Sequence, residues 1–190
     1  MKRILSILLT ICLCSALVFA DEQGDEYDDG YEYQSNMSGD QLLKLELDGH
    51  FPLNFDDHLK AGFGINIGYY KFIAPSLAVG GELTVTNNFS IGGKALFIIP
   101  ITFGAMYQPQ IGKFEFPIMA NIGFATETWA NQSYWPALTA RASAGCYYRM
   151  SESWSFGGST TLTTVTEYMN KGKNYTGVFL SAGINARYHF

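Results

Sequence analysis

The sequence predicts an all-β fold: a closed antiparallel eight-stranded transmembrane β-barrel, preceded by a cleaved signal peptide and a disordered acidic segment. Three observations predict it. From residue 41 onward, apolar residues alternate with small or polar ones in runs of strand length, without helical periodicity. Charged residues make up 15% of the chain, below the ~25% typical of soluble domains. Aromatic residues gather near the ends of the alternating runs, as they do at membrane–water interfaces.

Residues 1–20 have the anatomy of an export signal. Lys2 and Arg3 precede an apolar run from Ile4 to Phe19, and Val18, Phe19 and Ala20 fit a small-residue cleavage site. Cleavage is expected between Ala20 and Asp21. The run is short for a bilayer-spanning helix, which must cross ~30 Å. Cys12 and Cys14 follow Ile11 and Leu13, where lipidation wants a small residue. Cleavage then leaves Cys146 alone, so no intramolecular disulfide is expected.

Residues 21–40 hold eight acids and no base, whereas residues 41–190 hold nine acids and ten bases. Such a segment cannot bury a core and reads as a disordered, solvated periplasmic tail. Residues 41–190 form the barrel domain.

The barrel strands are expected at about 41–50, 59–72, 76–87, 93–108, 113–128, 134–150, 154–167 and 175–190. Most suit the ~9–11 residues that a tilted strand needs to cross a bilayer. In the last, Val178, Leu180, Ala182, Ile184, Ala186, Tyr188 and Phe190 share one face, and Ser181, Gly183, Asn185, Arg187 and His189 the other. In the second, Phe63, Ile65, Ile67 and Tyr69 oppose Gly62, Gly64, Asn66 and Gly68. In the third, Leu77, Val79, Leu83 and Val85 oppose Ser76, Gly80, Glu82 and Thr84.

Connections alternate between tight turns (73–75, 109–112, 151–153) and longer loops (51–58, 87–92, 128–134, 168–174), the habit of outer-membrane barrels. Tyr69, Tyr70, Tyr107, Phe114, Phe116, Tyr147, Tyr148, Trp154, Phe156, Tyr188 and Phe190 fall at the short-turn end. Phe51, Phe55, Phe89, Trp129, Trp135, Tyr168 and Tyr175 fall at the long-loop end.

A secreted barrel with an apolar interior would alternate too. The weaker face decides against it, because glycine, serine and asparagine suit a narrow lumen better than an open, charged surface. On this phase Lys44, Glu46, Glu82, Lys94, Arg141 and Arg187 point inward. Eight strands enclose a bore that side chains can fill, and charges in it must pair. They form either a gate on a polar path or a structural plug, and the plug is the simpler reading.

The chain ends in Gly183, Ile184, Asn185, Ala186, Arg187, Tyr188, His189 and Phe190, with aromatics at the last and third-last positions. This resembles the carboxyl-terminal signal read by the outer-membrane assembly machinery, with Gly183, Tyr188 and Phe190 as its elements. Asn185 stands where that pattern prefers glycine. The strand from Phe97 through Pro100 to Tyr107 resembles the proline-bearing strand of small barrels in the broad OmpA/OmpX/OmpW group. The overall texture is similar to orphan treponemal barrels. The resemblance implies residence in a bacterial outer membrane, both termini in the periplasm, and periplasmic chaperones as biogenesis partners. The expected state is a monomer in outer-membrane lipid.

No Walker motif, dinucleotide fingerprint or basic nucleic-acid stripe occurs, so neither cofactor nor nucleic acid is expected. His50 and His58, near Asp48, Asp56 and Asp57, read as solvated loop residues rather than as metal ligands. Some eight-stranded barrels modify lipids, but such chemistry needs a positioned nucleophile and base. No compact His–Ser pairing is visible, so the chain reads as non-enzymatic and a lipid-modifying enzyme is the weaker alternative. Two functions remain: a passive conduit for small, hydrophobic molecules, favoured on the resemblance alone, and a structural or surface-interaction protein with a plugged lumen. Trp129, Tyr134 and Trp135 are the external-loop candidates for contact with a ligand.

Overall fold

The computed structural model describes residues 36–55, 59–90, 94–129, 132–168 and 174–190, all within one compact unit. The export signal and residues 21–35 of the acidic segment lie outside the described residues. The strands are β1 (Gln41–Pro52), β2 (Leu59–Ala74), β3 (Leu77–Ser90), β4 (Ala95–Tyr107), β5 (Gln110–Ile111), β6 (Phe114–Glu115), β7 (Ile118–Trp129), β8 (Gln132–Arg149), β9 (Trp154–Tyr168) and β10 (Asn174–His189).

Each long strand pairs antiparallel with the next, and β10 returns to β1, so eight long strands close into a ring. Closure gives each of the eight long strands a partner on both sides, which a backbone in lipid requires. The seam is tied at the chain end. The Gln41 N–H donates to the Phe190 carbonyl at 2.8 Å, and the Phe190 N–H donates to the Gln41 carbonyl at 3.0 Å.

The two-residue period decides what faces where. Leu43, Leu45 and Leu47 of β1 and Phe63, Ile65 and Ile67 of β2 are exposed, while Lys44, Glu46 and Asn66 between them are buried. Around the ring Leu83, Val85, Ile101, Phe103, Ile122, Phe124, Leu138, Leu162 and Ile184 continue the outward apolar band. The interior is the polar side, the reverse of a water-soluble barrel and the arrangement that lipid favours.

Four expectations need correction. The expected turn at 109–112 is instead the tip of one longer hairpin. β5 and β6 pair in the register that β4 and β7 already hold, from Tyr107 opposite Ile118 to Gln110 opposite Glu115. Pro109 and Pro117 lack the N–H that the ladder needs, so regular strand breaks there. The chain reverses at Gly112, whose φ of 56° belongs to a residue without Cβ.

The loops are also shorter than their composition suggested. Trp129 pairs with Gln132, so the connection taken as 128–134 narrows to 130–131. Cross-strand pairing there overrides polar, loop-like composition.

The tail ends earlier than residue 40. The Gly39 N–H donates to the Phe72 carbonyl at 2.8 Å, the Ser76 N–H to the Asn36 carbonyl at 3.3 Å, and the Phe72 N–H to the Asp40 carbonyl at 2.8 Å. Asn36 is buried. Residues 36–40 therefore form a hydrogen-bonded turn against the short-turn end, because unpaired backbone groups at that rim are available to it.

Finally, Tyr70 and Tyr147 are buried and leave the outer aromatic girdle. Each directly follows or precedes a tyrosine that faces out, so strand parity turns it inward. Glycines make room for them. A Cβ on Gly145 would lie 2.6 Å from the Tyr147 ring, and one on Gly80 would lie 2.7 Å from the Tyr70 ring.

Candidate functional site

The lumen is layered. In the middle layer β1 and β3 supply Lys44, Glu46 and Glu82 at successive inward positions. The Lys44 ammonium lies 2.7 Å from Glu46 Oε2 and 2.9 Å from Glu82 Oε1. Arg141 of β8 reaches Glu82 Oε2 at 3.2 Å from the opposite wall. It also donates to Thr84 Oγ1. Asn66 Nδ2 donates to Glu82 Oε2 at 3.1 Å, and Ser159 Oγ donates to Glu46 Oε1 at 2.7 Å. Each carboxylate thus has a cation and a neutral donor, which is what charges withdrawn from water require.

Arg187 stands outside this network, contrary to the expectation that it pairs there. Its Nη1 donates to Gln108 Oε1 at 2.8 Å, and its guanidinium carbon lies 3.5 Å from the centre of the Tyr147 ring. Lys94 is the second correction. It precedes β4 at the long-loop rim and is exposed, so correct parity does not bring it into the bore.

Toward the short-turn end a further cluster appears. Glu115 of β6 lies 3.2 Å from Arg149 Nη1 and accepts a hydrogen bond from Ser155 Oγ at 3.1 Å. Burial pushes its carboxyl above the ordinary value, against the pull of Arg187 and Arg149. His189 Nε2 lies 2.7 Å from Ser155 Oγ and 3.7 Å from Glu115 Oε1. Arg149 also donates to Asn36 Oδ1 at 3.2 Å, tying residue 36 to the cluster.

A His–Ser pair therefore exists that the sequence did not reveal, because its members lie on different strands. It does not have the geometry of a nucleophile and base. Serine and acid meet the same ring nitrogen, and the serine is fully buried.

Toward the long-loop end the lumen turns apolar. Leu59, Leu96, Ile98, Ala125, Ala137, Val165 and Phe179 form a buried cluster, with Phe55 and Tyr134 packed on it. His50 belongs here and not to solvent. It is buried, stacks on Phe179 at 4.6 Å, and its Nδ1 lies 2.6 Å from Asn88 Oδ1. β1 runs past His50 to Pro52, which places it below the rim. His58, Asp56 and Asp57 lie outside the described residues.

Above this cluster opens a cavity of about 560 Å³. The three expected loop aromatics divide around it. Trp129 and Tyr134 line it, whereas Trp135 faces outward, edge-on to Phe124 at 6.2 Å. Tyr134 is held by its hydroxyl, which donates to the Tyr168 carbonyl at 2.7 Å and accepts from the Tyr168 N–H at 2.9 Å. Glu127 and Glu167 also line the mouth. Sequence reasoning missed both, although each shares parity with a buried neighbour, Ala125 and Val165.

At the chain end Tyr188 and Phe190 stack outward at 5.8 Å, with Trp154 edge-on to Tyr188 at 5.0 Å. Gly183 is opposite Asp48, where a Cβ would lie 2.4 Å from the Leu47 carbonyl.

An outward apolar band around a side-chain-filled polar bore defines an integral outer-membrane β-barrel protein. A sequence model of a treponemal family matches residues 23–188, and the chain belongs to that family. It is similar to an uncharacterized protein of Treponema pallidum, with 26% identity over 83% of this chain and 80% of the relative. A protein of Borreliella burgdorferi is 28% identical over 75% of this chain and 82% of its own length.

Among solved structures, Neisserial surface protein A superposes with a TM-score of 0.67 at 10% identity, over 80% of this chain and 99% of that one. OprG of Pseudomonas aeruginosa gives 0.54 at 13% identity, over 84% and 99%. Ail of Yersinia pestis gives 0.51 at 14% identity, over 81% and 100%. These likenesses concern the fold.

Proposed function

We propose that this protein is a non-enzymatic, non-conducting barrel that acts at the outer surface of the envelope, with its long-loop end outward and both termini in the periplasm. The plugged reading thereby replaces the conduit. One observation carries it: Lys44, Glu46, Glu82 and Arg141 join across the bore from β1, β3 and β8, all buried and all paired. A small polar solute crossing that layer would have to separate ion pairs away from bulk water, which costs several kcal/mol per ion. An apolar solute would have to pass fixed charges.

Below that layer the Glu115 and Arg149 pair and the turn at 36–40 add a second obstruction. The polar stage available to partners is then the long-loop rim, where Trp129, Tyr134, Glu127 and Glu167 stand.

Planar-bilayer recording of the refolded chain tests this reading. The expected result is no steady single-channel conductance from wild type, with openings appearing when Glu82 and Arg141 are both replaced by alanine. Steady wild-type conductance that disappears on denaturation would overturn the plugged reading and restore the conduit.

A further inference from the structure

The mouth cavity combines two features, an aromatic wall and a pair of acids. Its wall is aromatic: Phe55, Trp129, Tyr134, Tyr175 and Phe179 all border it. Phe179 forms the floor, with Phe55 against it at 5.0 Å and His50 stacked beneath at 4.6 Å. The other feature is charge. Glu127 on β7 and Glu167 on β9 stand on either side of β8, and both line this one cavity. None of the lining residues described is basic.

Two carboxyls placed together repel once both ionise, and a cation between them relieves that repulsion. An aromatic face attracts a cation through its quadrupole, most strongly a poorly hydrated organic ammonium. A metal ion fits less well. No group of three or more His, Cys, Asp or Glu side chains placed to hold a metal occurs among the described residues, and hard cations take six or more oxygens.

We propose that this cavity binds a free organic ammonium cation bearing an apolar substituent. The ammonium sits against Glu127 and Glu167, and the apolar part sits against Trp129, Phe55 and Phe179. The volume of about 560 Å³ lies within the usual range for small-molecule sites. Phe179 and the apolar cluster it belongs to lie on the barrel side of the cavity. Tyr134 helps fix its shape, because the hydroxyl bonds to Tyr168 hold β8 to β9 at the rim.

The test uses the mature chain refolded in a nonionic detergent, with benzyltrimethylammonium as the probe and tryptophan fluorescence and calorimetry as readouts. Benzyl alcohol serves as the neutral comparison and calcium as the metal comparison. Wild type should bind the ammonium saturably at one site. Replacing Glu127 and Glu167 together with glutamine should weaken binding by about tenfold or more. Trp129→Leu, at the half-exposed rim, should weaken it by about threefold to tenfold.

Retention of the folded gel band before heating confirms that each variant is a barrel. Equal binding of benzyl alcohol, an unaffected double variant, or stoichiometric displacement by calcium would each overturn the proposal. Conductance is measured separately, so a conducting barrel that still binds the probe defeats only the plugged reading. A silent barrel that does not bind it defeats only this one.

Discussion

Arg187 and Tyr147 are stacked inside the barrel, the guanidinium carbon 3.5 Å from the ring centre, on strands β10 and β8 with β9 between them. The ring covers one face of the guanidinium, and Gln108 Oε1 takes one of its N–H groups at 2.8 Å. A planar, weakly hydrated guanidinium tolerates such a site where an ammonium does not. Arg187→Lys keeps the charge and loses the stacking. It should destabilise the barrel by ~1–2 kcal/mol, read as a lower urea midpoint in detergent. An unchanged midpoint would show that the stacking adds nothing.

Glu82 is the hub of the middle layer, contacting Lys44 at 2.9 Å and Arg141 at 3.2 Å. Glu82→Gln leaves Lys44 with Glu46 but deprives Arg141 of its acid. The expected loss is ~3–5 kcal/mol. Adding Arg141→Met should recover part of it, since the orphaned cation is gone. Losses that simply add in a double-mutant cycle would mean that the two residues are not coupled.

Gly145 has no room for a methyl group. A Cβ there would lie 2.6 Å from Tyr147 Cε2 and 2.9 Å from the Gly158 carbonyl. Gly145→Ala should cost ~1–3 kcal/mol through displacement of the ring or the neighbouring strand. The pair Gly145→Ala with Tyr147→Leu should be less destabilised than Gly145→Ala alone. A neutral Gly145→Ala would mean that the ring swings away freely.

Phe190 does two separable jobs. Its backbone closes the seam with Gln41 at 2.8 and 3.0 Å, and its ring projects outward beside Tyr188. Phe190→Ala keeps the backbone bonds, so refolding in detergent should remain close to normal. In cells the same variant should accumulate unassembled in the periplasm, because the terminal aromatic is the expected recognition element. Deletion of Phe190 should impair both. Normal membrane assembly of Phe190→Ala would remove the ring from any assembly signal.

Orientation is tested by cysteine labelling in a Cys146→Ser background. Gln132→Cys, at the long-loop rim, should react with an impermeant reagent on intact cells. Lys113→Cys, at the opposite hairpin tip, should react only after the outer membrane is opened. The reverse pattern would invert the topology.

Alternation alone sufficed for much of the architecture. The strict period in β2 and β10 fixes which residues meet lipid, since neighbouring side chains on a strand must face opposite ways. The scarcity of charge opposite Phe63, Ile65 and Ile67 identifies the enclosed face as the polar one. Lys44, Glu46, Glu82 and Arg141 could be placed inside by parity, and they are there.

What parity cannot supply is depth along the strand and distance across the bore. Lys94 has the right phase but stands beyond the last pair of β4, while His50, taken for a loop residue, is carried inside by two further residues of β1. Arg187 and Arg141 look alike in sequence, yet one meets Tyr147 and the other Glu82. Ser155 and His189, or Glu127 and Glu167, become neighbours only when strands distant in sequence are set in register around the ring. The local chain determines which side of a strand each residue occupies. The closure of the barrel, a sum of eight strand registers, decides which residues share a level, and interaction energies depend on that distance.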